Sequence, residues 1–310
     1  MLSAGAMLFA LGLEAVFGWP EGLYRRIGHP VTWIGTAITW SEAWLNRPGR
    51  LRIAAGGVVT FVVTASVAAA AWMLTQFLPD GWLGMVLSGV LAAPFVAARS
   101  LHEHVAAVAR RLVEDDLVQA RQEVAKIVGR ETDALDLQGV SRAALESLAE
   151  NASDGVVAPL FWGVLLGLPG IAGYKAINTL DSMIGHRTPR HAEFGRVAAR
   201  LDDLANWLPA RITAGLFALA SGRPGQVARI VGADARRHRS PNAGWPEAAM
   251  AGAVGVRLSG PRIYGAVVAE EPWLNGGARD PGADELLAGL KLYRRMGIGV
   301  ALVLLALALL

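Results

Sequence analysis

The feature that most constrains this chain is an apolar run over residues 53–79, which holds 27 positions without a charged side chain. An α-helix needs about 20 apolar residues to cross the hydrocarbon core of a bilayer. A second charge-free run, residues 81–98, begins directly after Asp80. Because the link between the runs is so short, the sequence predicts an antiparallel pair of membrane-spanning helices.

The composition also indicates a membrane protein. Of the 310 residues, 53% are hydrophobic and 18% are charged, and the mean hydropathy is +0.38. The sequence contains no cysteine, which excludes disulfides, thiolate metal ligands and a cysteine nucleophile. The net charge of +3 arises from basic residues scattered among acids, which favours anionic lipid or substrate over nucleic acid. We therefore expect a lipid bilayer, and no nucleic acid, among the partners.

Further segments are apolar enough to enter a membrane. Residues 1–19 are predicted to be a retained first span, because Glu14 interrupts the run and no basic region precedes it. Residues 296–310 form an apolar tail that is short for a span. Residues 155–174 are long enough to cross, but their glycines and prolines predict a kinked, re-entrant or tightly packed segment. Residues 212–222 are charge-free for only 11 positions, which predicts an interfacial segment or a half-span.

The charged residues predict how the chain is arranged across the membrane. The loop over residues 21–52 carries five arginines and two glutamates, which the positive-inside rule places in the cytoplasm. Residues 99–154 are polar and helix-forming, and residues 175–295 form a second polar half with interfacial segments. No strand alternation persists long enough to indicate a sheet. The predicted fold is an all-α, polytopic membrane protein, a single domain over residues 1–310 with polar helical insertions on the cytoplasmic side.

Acidic side chains lie at the edge of the glycine- and proline-rich apolar segment. On a helix, Glu146, Glu150 and Asp154 share one face, with Asn151 beside them. Three carboxylates on one face repel one another unless a cation lies between them. One interpretation is a Mg²⁺ site for a phosphorylated substrate, because Mg²⁺ takes a few oxygen ligands and leaves positions for phosphate. The other is an acidic helix end in solvent, and the residues alone leave both open.

A second polar group follows the same apolar segment. Its candidate side chains are Lys175, Asn178, Asp181, His186, Arg187, Arg196, Arg200, Asp202 and Asp203. Arginine forks match the geometry of phosphate oxygens, and nearby acids can hold a metal ion that bridges them. The alternative is a helix whose surface carries ordinary ion pairs.

A basic run over residues 236–239 ends in a turn that contains Asn242. Such a turn suits an anion-binding loop, although a basic cluster that faces anionic lipid has the same sequence character. The sequence has no Walker A pattern, no kinase-type glycine-rich loop and no Gly-x-Ser-x-Gly elbow. If a nucleotide binds, other residues must hold its phosphates.

Seven blocks, in order along nearly the whole chain, resemble the CobD/CbiB family, the integral-membrane adenosylcobinamide-phosphate synthases of cobalamin biosynthesis. The blocks are GHPVTWIG (28–35), ARSLHEHV (98–105), IVGRET (127–132), ESLAENASDGVVAPLFW (146–162), YKAINTLDSMIGHR (174–187), FGRVAARLDDLANWLPARITA (194–214) and SPNAGWPEAAMAGAVGVRLSGP (240–261). Seven ordered blocks are far more specific than any one of the polar motifs.

The resemblance implies a reaction in a bacterial inner membrane. An amide bond would form between a propionate carboxylate of adenosylcobyric acid and the amine of (R)-1-amino-2-propanol phosphate, or of a related amino-alcohol phosphate, with ATP. A carboxylate accepts an amine poorly, and phosphorylation to an acyl phosphate would supply a leaving group. Such a site needs Mg²⁺, cationic groups for phosphates and a proton acceptor. Other membrane enzymes of the pathway are possible partners.

The resemblance also implies roles for the polar residues. The ligands of Mg²⁺ and polyphosphate would be Glu150, Asn151, Asp154, Asn178 and Asp181. The phosphates would be bound by Lys175, Arg187, Arg196 and Arg200. Asp202 and Asp203 would complete the metal site or orient the arginines, and the base would be His186 or Glu146. Asn242 would contact nucleotide or corrinoid.

Two other function classes stay open from the residues alone. The chain carries two Asn-x-x-Asp motifs, at residues 151–154 and 178–181. Paired motifs of this kind near a bilayer also suit a Mg²⁺-dependent transferase that acts on a prenyl diphosphate. A transporter or sensor would carry charges inside its spans, whereas the acids here lie at span edges and in loops. If residues 155–174 cross the membrane fully, Asp154 and Asp181 fall on opposite faces and cannot share a metal ion. A re-entrant segment, or one whose two ends meet a single cavity, would remove that obstacle.

Overall fold

A computed structural model describes residues 2–49, 51–129, 131–186, 188–264 and 267–310. The protein is 76% helical with very little strand. In chain order the helices are α1 (Leu2–Phe17), α2 (Glu21–Ile27), α3 (Pro30–Leu45), α4 (Arg52–Thr75), α5 (Gly81–Ala92), α6 (Ala98–Val113), α7 (Leu117–Ala125), α8 (Leu137–Ala152), α9 (Ala158–Ile184), α10 (Arg196–Ala205), α11 (Trp207–Ala220), α12 (Pro224–Asp234), α13 (Gly244–Val254) and α14 (Ala283–Leu309). A π-helical turn, Ser153–Val157, follows α8.

The chain packs as two compact units. The first consists of Met1–Ala97, Ala158–Asn206 and Ala301–Leu310, and the second consists of Ala98–Val157 and Trp207–Val300. The organisation as a single domain over residues 1–310 stays a prediction.

Several helical stretches are long and apolar enough to cross a membrane. By length and composition these are Arg52–Thr75, Gly81–Val113, Leu137–Ile184 and Ala283–Leu309, and a fifth arises if Leu2–Phe17 and Glu21–Leu45, bent by 106°, form one span. The predicted all-α, polytopic membrane fold is confirmed. The tail at 296–310 is the second half of α14, so the apolar end belongs to a helix long enough to cross. Helix α11 has only 14 residues, and its interfacial or half-span position stays a prediction.

The core of the first unit joins helices α3, α4, α9 and α10. Its buried residues are Ile34, Ile38, Val59, Val63, Ala176, Leu180, Ile184, Phe194 and Ala198. Two glycines allow the backbones to come this close. A Cβ on Gly56 would overlap the carbonyl oxygen of Phe194, and a Cβ on Gly195 would overlap that of Ile184. The start of α10 is therefore held tightly against both α4 and the end of α9.

Helix α9 folds back on itself at Gly167. This residue has φ 66° and ψ −152°, which is not helical and which glycine adopts without a Cβ clash. A Cβ on Gly170 would overlap the carbonyl oxygen of Trp162, yet in a straight helix their positions would lie about 12 Å apart along the axis. Residues 158–166 and 168–184 are thus the two arms of a helical hairpin. The sequence predicted a kinked, re-entrant or tightly packed segment; the kink is confirmed, and re-entry into the membrane stays a prediction.

The reversal brings distant parts of α9 together. Ala158 and Tyr174 belong to one buried cluster with Ala205, and Trp162 packs against it. In a straight helix Ala158 and Tyr174 would be separated by about 24 Å. The stretch Leu137–Ile184 is long and apolar enough for a membrane span. Because it bends at Gly167, it does not cross as one straight helix.

The second unit is built around α8 and α13, which are buried over most of their surfaces. Asp136 caps the start of α8 by accepting a hydrogen bond from the backbone N–H of Gly139 at 2.7 Å. After α13 the chain forms short antiparallel pairs, β1 (Leu258–Ser259) with β4 (Trp273–Leu274) and β2 (Arg262–Tyr264) with β3 (Val267–Ala269). These pairs were not predicted, because strands of two or three residues are too short to show an alternating pattern.

A charged clamp connects α8 to this strand region. The Asp280 carboxylate accepts hydrogen bonds from Arg142 Nη2 at 2.6 Å and from Arg257 Nη2 at 2.6 Å and Nε at 2.9 Å. Both guanidinium groups also lie over the Trp273 ring, at 4.7 Å for Arg142 and 4.2 Å for Arg257. One carboxylate thus ties together two arginines that share one indole.

Candidate functional site

A buried chain of hydrogen bonds connects α9 to the end of α10 in the first unit. The Tyr174 hydroxyl donates to Asn206 Oδ1 at 2.8 Å, and Asn206 Nδ2 donates to Asp202 Oδ2 at 2.9 Å. Trp162 Nε1 donates to the carbonyl oxygen of Ala205 at 3.1 Å. Tyr174 is 2% exposed and Asn206 is 1% exposed. Both arms of the α9 hairpin therefore help to fix the position of the Asp202 carboxylate.

The Asp202 carboxylate is hydrogen-bonded by Asn206 and also interacts with the Asn178 side chain, but its two oxygens are not equally satisfied. Its Oδ1 is buried and has no hydrogen-bond partner among the residues that the structure describes. Burial, and next the negative charge of Asp181, raise the pKa of Asp202 to about 7. A buried carboxylate with one unpartnered oxygen is suited to a cation or a proton donor that a substrate supplies.

One face of the second α9 arm carries the remaining polar groups near Asp202. Lys175 Nζ donates to Asn178 Oδ1 at 3.2 Å. Asp181 follows one turn later and interacts electrostatically with His186 and Asp203. Gly185 leaves room for this carboxylate, since a Cβ there would overlap Asp181 Oδ1. The helical spacing predicted for Asn178 and Asp181 is thus the spacing observed.

The other predicted residues of this region lie at its surface. Arg200 Nη1 lies 3.8 Å from Asp203 Oδ2, which agrees with the idea that an acid orients this arginine. Arg196 and His186 are exposed. Arg187 lies outside the described residues, so its predicted role in phosphate binding stays a prediction.

In the second unit the Glu146 carboxylate is buried and accepts a hydrogen bond from the backbone. It is 5% exposed, and its Oε1 accepts the backbone N–H of Ser259 at 2.7 Å. Ser259 has φ 61°, an uncommon conformation for a residue other than glycine. The Glu146 carboxylate therefore anchors the end of β1, and its predicted role as a base stays a prediction.

The acidic face predicted for α8 is interrupted. Glu150 and Asn151 are exposed, whereas Asp154 is half-buried in the π-helical turn that begins at Ser153. Asn151 Nδ2 donates to the carbonyl oxygen of Ser147 at 2.9 Å. Asp154 thus lies just beyond the regular helix α8, in the π-helical turn. The shared face of Glu146, Glu150 and Asp154 stays a prediction.

Asn242 lies in the turn after the basic run, as the sequence predicts, and is buried at 6% exposure. Its Oδ1 accepts a hydrogen bond from Arg211 Nη1 at 2.9 Å. The amide therefore holds an arginine, and direct contact with nucleotide or corrinoid stays a prediction.

The donor set in the first unit fits Mg²⁺ if most ligands come from the substrate. Across the described residues, no group of three or more His, Cys, Asp or Glu side chains is placed to hold a metal ion. Asp181 and Asn178 offer two oxygen donors one helical turn apart. Mg²⁺ is commonly held by one or two carboxylates, phosphate oxygens and water, so a sparse set of this kind suits it. The predicted metal ligands Glu150, Asn151, Asp154 and Asp181 stay a prediction as a set.

Sequence reasoning missed Tyr174 and Asn206. Both stand inside the blocks that resemble the family, but neither is charged, and their hydrogen bond joins two different helices. The spacing offered a signal: Asn206 is four residues after Asp202, which on a helix places the two side chains on one face.

Comparisons with known proteins agree along nearly the full length. A family model described as "CobD/Cbib protein" matches residues 7–293. The "Cobalamin biosynthesis protein CobD" of Rhodobacter capsulatus is 58% identical over 301 residues, which are 97% of this chain and 96% of that protein. The proteins of the same name from Brucella suis and Rhizobium meliloti are 49% and 46% identical, over 92% and 90% of this chain and 90% and 88% of theirs. No solved structure matches the chain.

Proposed function

Because this chain belongs to the CobD/CbiB family, we propose that it is a membrane-bound enzyme of cobalamin biosynthesis that forms an amide bond with ATP. Its substrates would be adenosylcobyric acid and (R)-1-amino-2-propanol phosphate or a related amino-alcohol phosphate. The observation that carries the proposal is the Asp202 carboxylate, held by Asn206 with one oxygen unpartnered among the described residues.

In the proposed reaction a propionate carboxylate of the corrinoid attacks the γ-phosphate of ATP, which gives an acyl phosphate and ADP. The amine then attacks the acyl carbon, phosphate leaves, and the amide forms. When bound, Mg²⁺ would neutralise the polyphosphate charge. From this chain, Asp181 and Asn178 would hold that ion, and Lys175 and Arg200 would bind phosphate oxygens.

Asp202 would handle the amine. An amino-alcohol phosphate carries an ammonium group at neutral pH, and that group must lose a proton before its nitrogen can attack. The unpartnered Asp202 Oδ1 can accept a hydrogen bond from the ammonium and then its proton. Among the bases predicted from the sequence, Glu146 already accepts a backbone N–H. His186 is exposed and remains the alternative to Asp202.

The test is a product assay with purified protein in detergent. ATP, Mg²⁺, adenosylcobyric acid and the amino-alcohol phosphate should give adenosylcobinamide phosphate and ADP in equal amounts. Omission of the amine should abolish the corrinoid product. The proposal is wrong if no corrinoid product forms while a prenyl diphosphate is consumed, which would favour the transferase alternative.

A further inference from the structure

A groove in the second unit lies apart from every residue assigned above except Asn242. It is a cavity of about 550 Å³ lined by Trp207, Arg211, Arg236, Ser240, Pro241 and Trp245. Two arginines and two tryptophans thus face one space.

The guanidinium group of Arg211 lies over two indole rings. Its Cζ is 4.5 Å from the centre of the Trp207 ring and 4.4 Å from that of Trp245. Cation–π contacts of this kind leave the edge of the guanidinium group for a ligand. Edge-on approach is the geometry in which arginine forms paired hydrogen bonds with phosphate oxygens.

Backbone and amide oxygens fix the same guanidinium in place. Nη1 donates to the carbonyl oxygen of Trp207 at 2.6 Å and to Asn242 Oδ1 at 2.9 Å, and Nη2 donates to the carbonyl oxygen of Pro241 at 3.2 Å. These partners are neutral. They orient Arg211 without cancelling its charge, and they use three of its five N–H donors.

The turn that supplies these oxygens is ordered by its own hydrogen bonds. The buried His238 ring accepts the backbone N–H of Ser240 at 3.1 Å through Nδ1. Ser240 Oγ in turn accepts the N–H groups of Asn242 at 3.3 Å and Ala243 at 3.1 Å. The turn that forms one wall of the groove is therefore preorganised for a ligand.

The charge of the groove is not balanced by nearby acids. Arg237 pairs with Asp234 at 3.2 Å and Arg239 pairs with Glu271 at 3.3 Å. Within the part of the chain that the structure describes, neither Arg211 nor Arg236 has a carboxylate in ion-pair contact, and the two repel each other electrostatically. Like charges held together in this way favour an anion between them.

We propose that this groove binds a phosphoryl group between Arg211 and Arg236. The group could belong to a small phosphate ester or to the headgroup of an anionic lipid, and both present the same oxygens to the two arginines. The inference does not depend on the proposed reaction, because its test contains neither ATP nor corrinoid.

The test compares the full-length protein with Arg236→Gln and with the matched control Arg237→Gln. Both variants remove one positive charge from the same basic run, but only Arg236 lines the groove. In one arm, protein in a neutral detergent is titrated with inorganic phosphate at constant ionic strength. In the other, nanodiscs contain phosphatidylcholine alone or with phosphatidylglycerol. The midpoint of thermal unfolding reports binding in both arms.

We expect phosphate to stabilise the unmodified protein and Arg237→Gln equally. Arg236→Gln should require about tenfold more phosphate, because it loses a charge-assisted hydrogen bond. If phosphatidylglycerol, but not inorganic phosphate, raises the unfolding midpoint less in Arg236→Gln than in Arg237→Gln, the groove binds the phosphoryl group of a lipid. If Arg236→Gln matches the unmodified protein in both arms, the groove does not bind a phosphoryl group.

Discussion

The Asp202 carboxylate is positioned by two uncharged side chains, Tyr174 and Asn206. Tyr174 orients Asn206, and Asn206 binds one oxygen of the carboxylate and leaves the other available. Because Asp181 and burial both oppose ionisation, the carboxylate is best stabilised when a cation reaches it. An ammonium substrate meets that need.

Replacement of this carboxylate should separate the two halves of the proposed reaction. Asp202→Asn keeps the shape of the side chain but cannot take the ammonium proton, so amide formation should fall by about 100-fold or more. Formation of the acyl phosphate, trapped as a hydroxamate with hydroxylamine, should continue. The exposed Asp80→Asn variant serves as the control. Normal amide formation in Asp202→Asn, with loss of activity in His186→Gln, would assign the base to His186 instead.

Removal of the Tyr174 hydroxyl should weaken the same network from a distance. Tyr174→Phe leaves Asn206 Oδ1 without its described donor, which should lower the free energy of unfolding by roughly 1–3 kcal/mol. Amide formation should also slow, because the Asp202 carboxylate is no longer held in one orientation. Denaturant unfolding and the product assay measure the two effects. Tyr24→Phe, at an exposed position, should change neither.

The sequence predicted the charged part of this site but not its support. Asn178 and Asp181 lie in one helix, as their spacing predicts, and the roles of these two residues and of Asp202 stay predictions. Tyr174 and Asn206 were missed because their role arises from a contact between two helices, which spacing along one helix does not reveal. Glu146 shows the opposite case: its carboxylate looked reactive in the sequence, yet it accepts a hydrogen bond from a strand more than 100 residues away.

At the scale of elements, the close packing of α10 against α4 depends on a glycine. Gly56→Ala places a methyl group on the carbonyl oxygen of Phe194, and this overpacking should cost roughly 1–3 kcal/mol of unfolding free energy. The adjacent Gly57→Ala is the matched control, since its Cβ would lie 3.4 Å from Val197 Cγ2 in ordinary contact. It should be neutral or slightly stabilising because alanine is the better helix former. Equal destabilisation by both changes would contradict this account.

The clamp around Asp280 predicts a dependence of stability on pH. Its hydrogen bonds, first that from Arg257, hold the Asp280 pKa below its usual 3.8. A carboxyl whose pKa is lowered by folding stabilises the protein above the unfolded value, and this contribution is lost as pH falls through the folded value. Asp280→Asn should therefore destabilise the protein at pH 7 by roughly 1–3 kcal/mol.

The difference in unfolding free energy between the unmodified protein and Asp280→Asn should shrink as the pH falls below about 4. Thermal unfolding of both across that range measures it, with the exposed Asp133→Asn as the control. A difference that stays constant with pH would show that the carboxylate charge is not what the clamp uses.

At the scale of the whole molecule, we expect helix α4 to cross the membrane, which would put its two ends on opposite sides. Helix α4 runs from Arg52 to Thr75, and the packing of Gly56 against Phe194 places the end of α9 near the start of α4. The tip of the α9 hairpin lies instead beside the link at Asp80, because Gly167 and Asp80 line one cavity. We therefore expect the second arm of the hairpin to run from its tip at Gly167 back towards the side of the arginine-rich loop.

Single cysteines in this cysteine-free chain can test that arrangement. Ser182→Cys and Gly49→Cys should react with a membrane-impermeant maleimide from one side, which the positive-inside rule makes the cytoplasm. Leu166→Cys and Asp80→Cys should react from the other side. All four positions are exposed. Labelling of Ser182→Cys together with Asp80→Cys would show that the α9 hairpin does not turn back at Gly167.

The turn at Gly167 has a consequence for the solvent around the protein. A helical hairpin leaves carbonyl groups at the end of its first arm and N–H groups at the start of its second, and hydrocarbon cannot satisfy either. The tip borders a cavity of about 330 Å³ that also includes Asp80. Water in this recess would hydrate the exposed peptide groups, so the lipid leaflet around the tip should be locally thinned and wet.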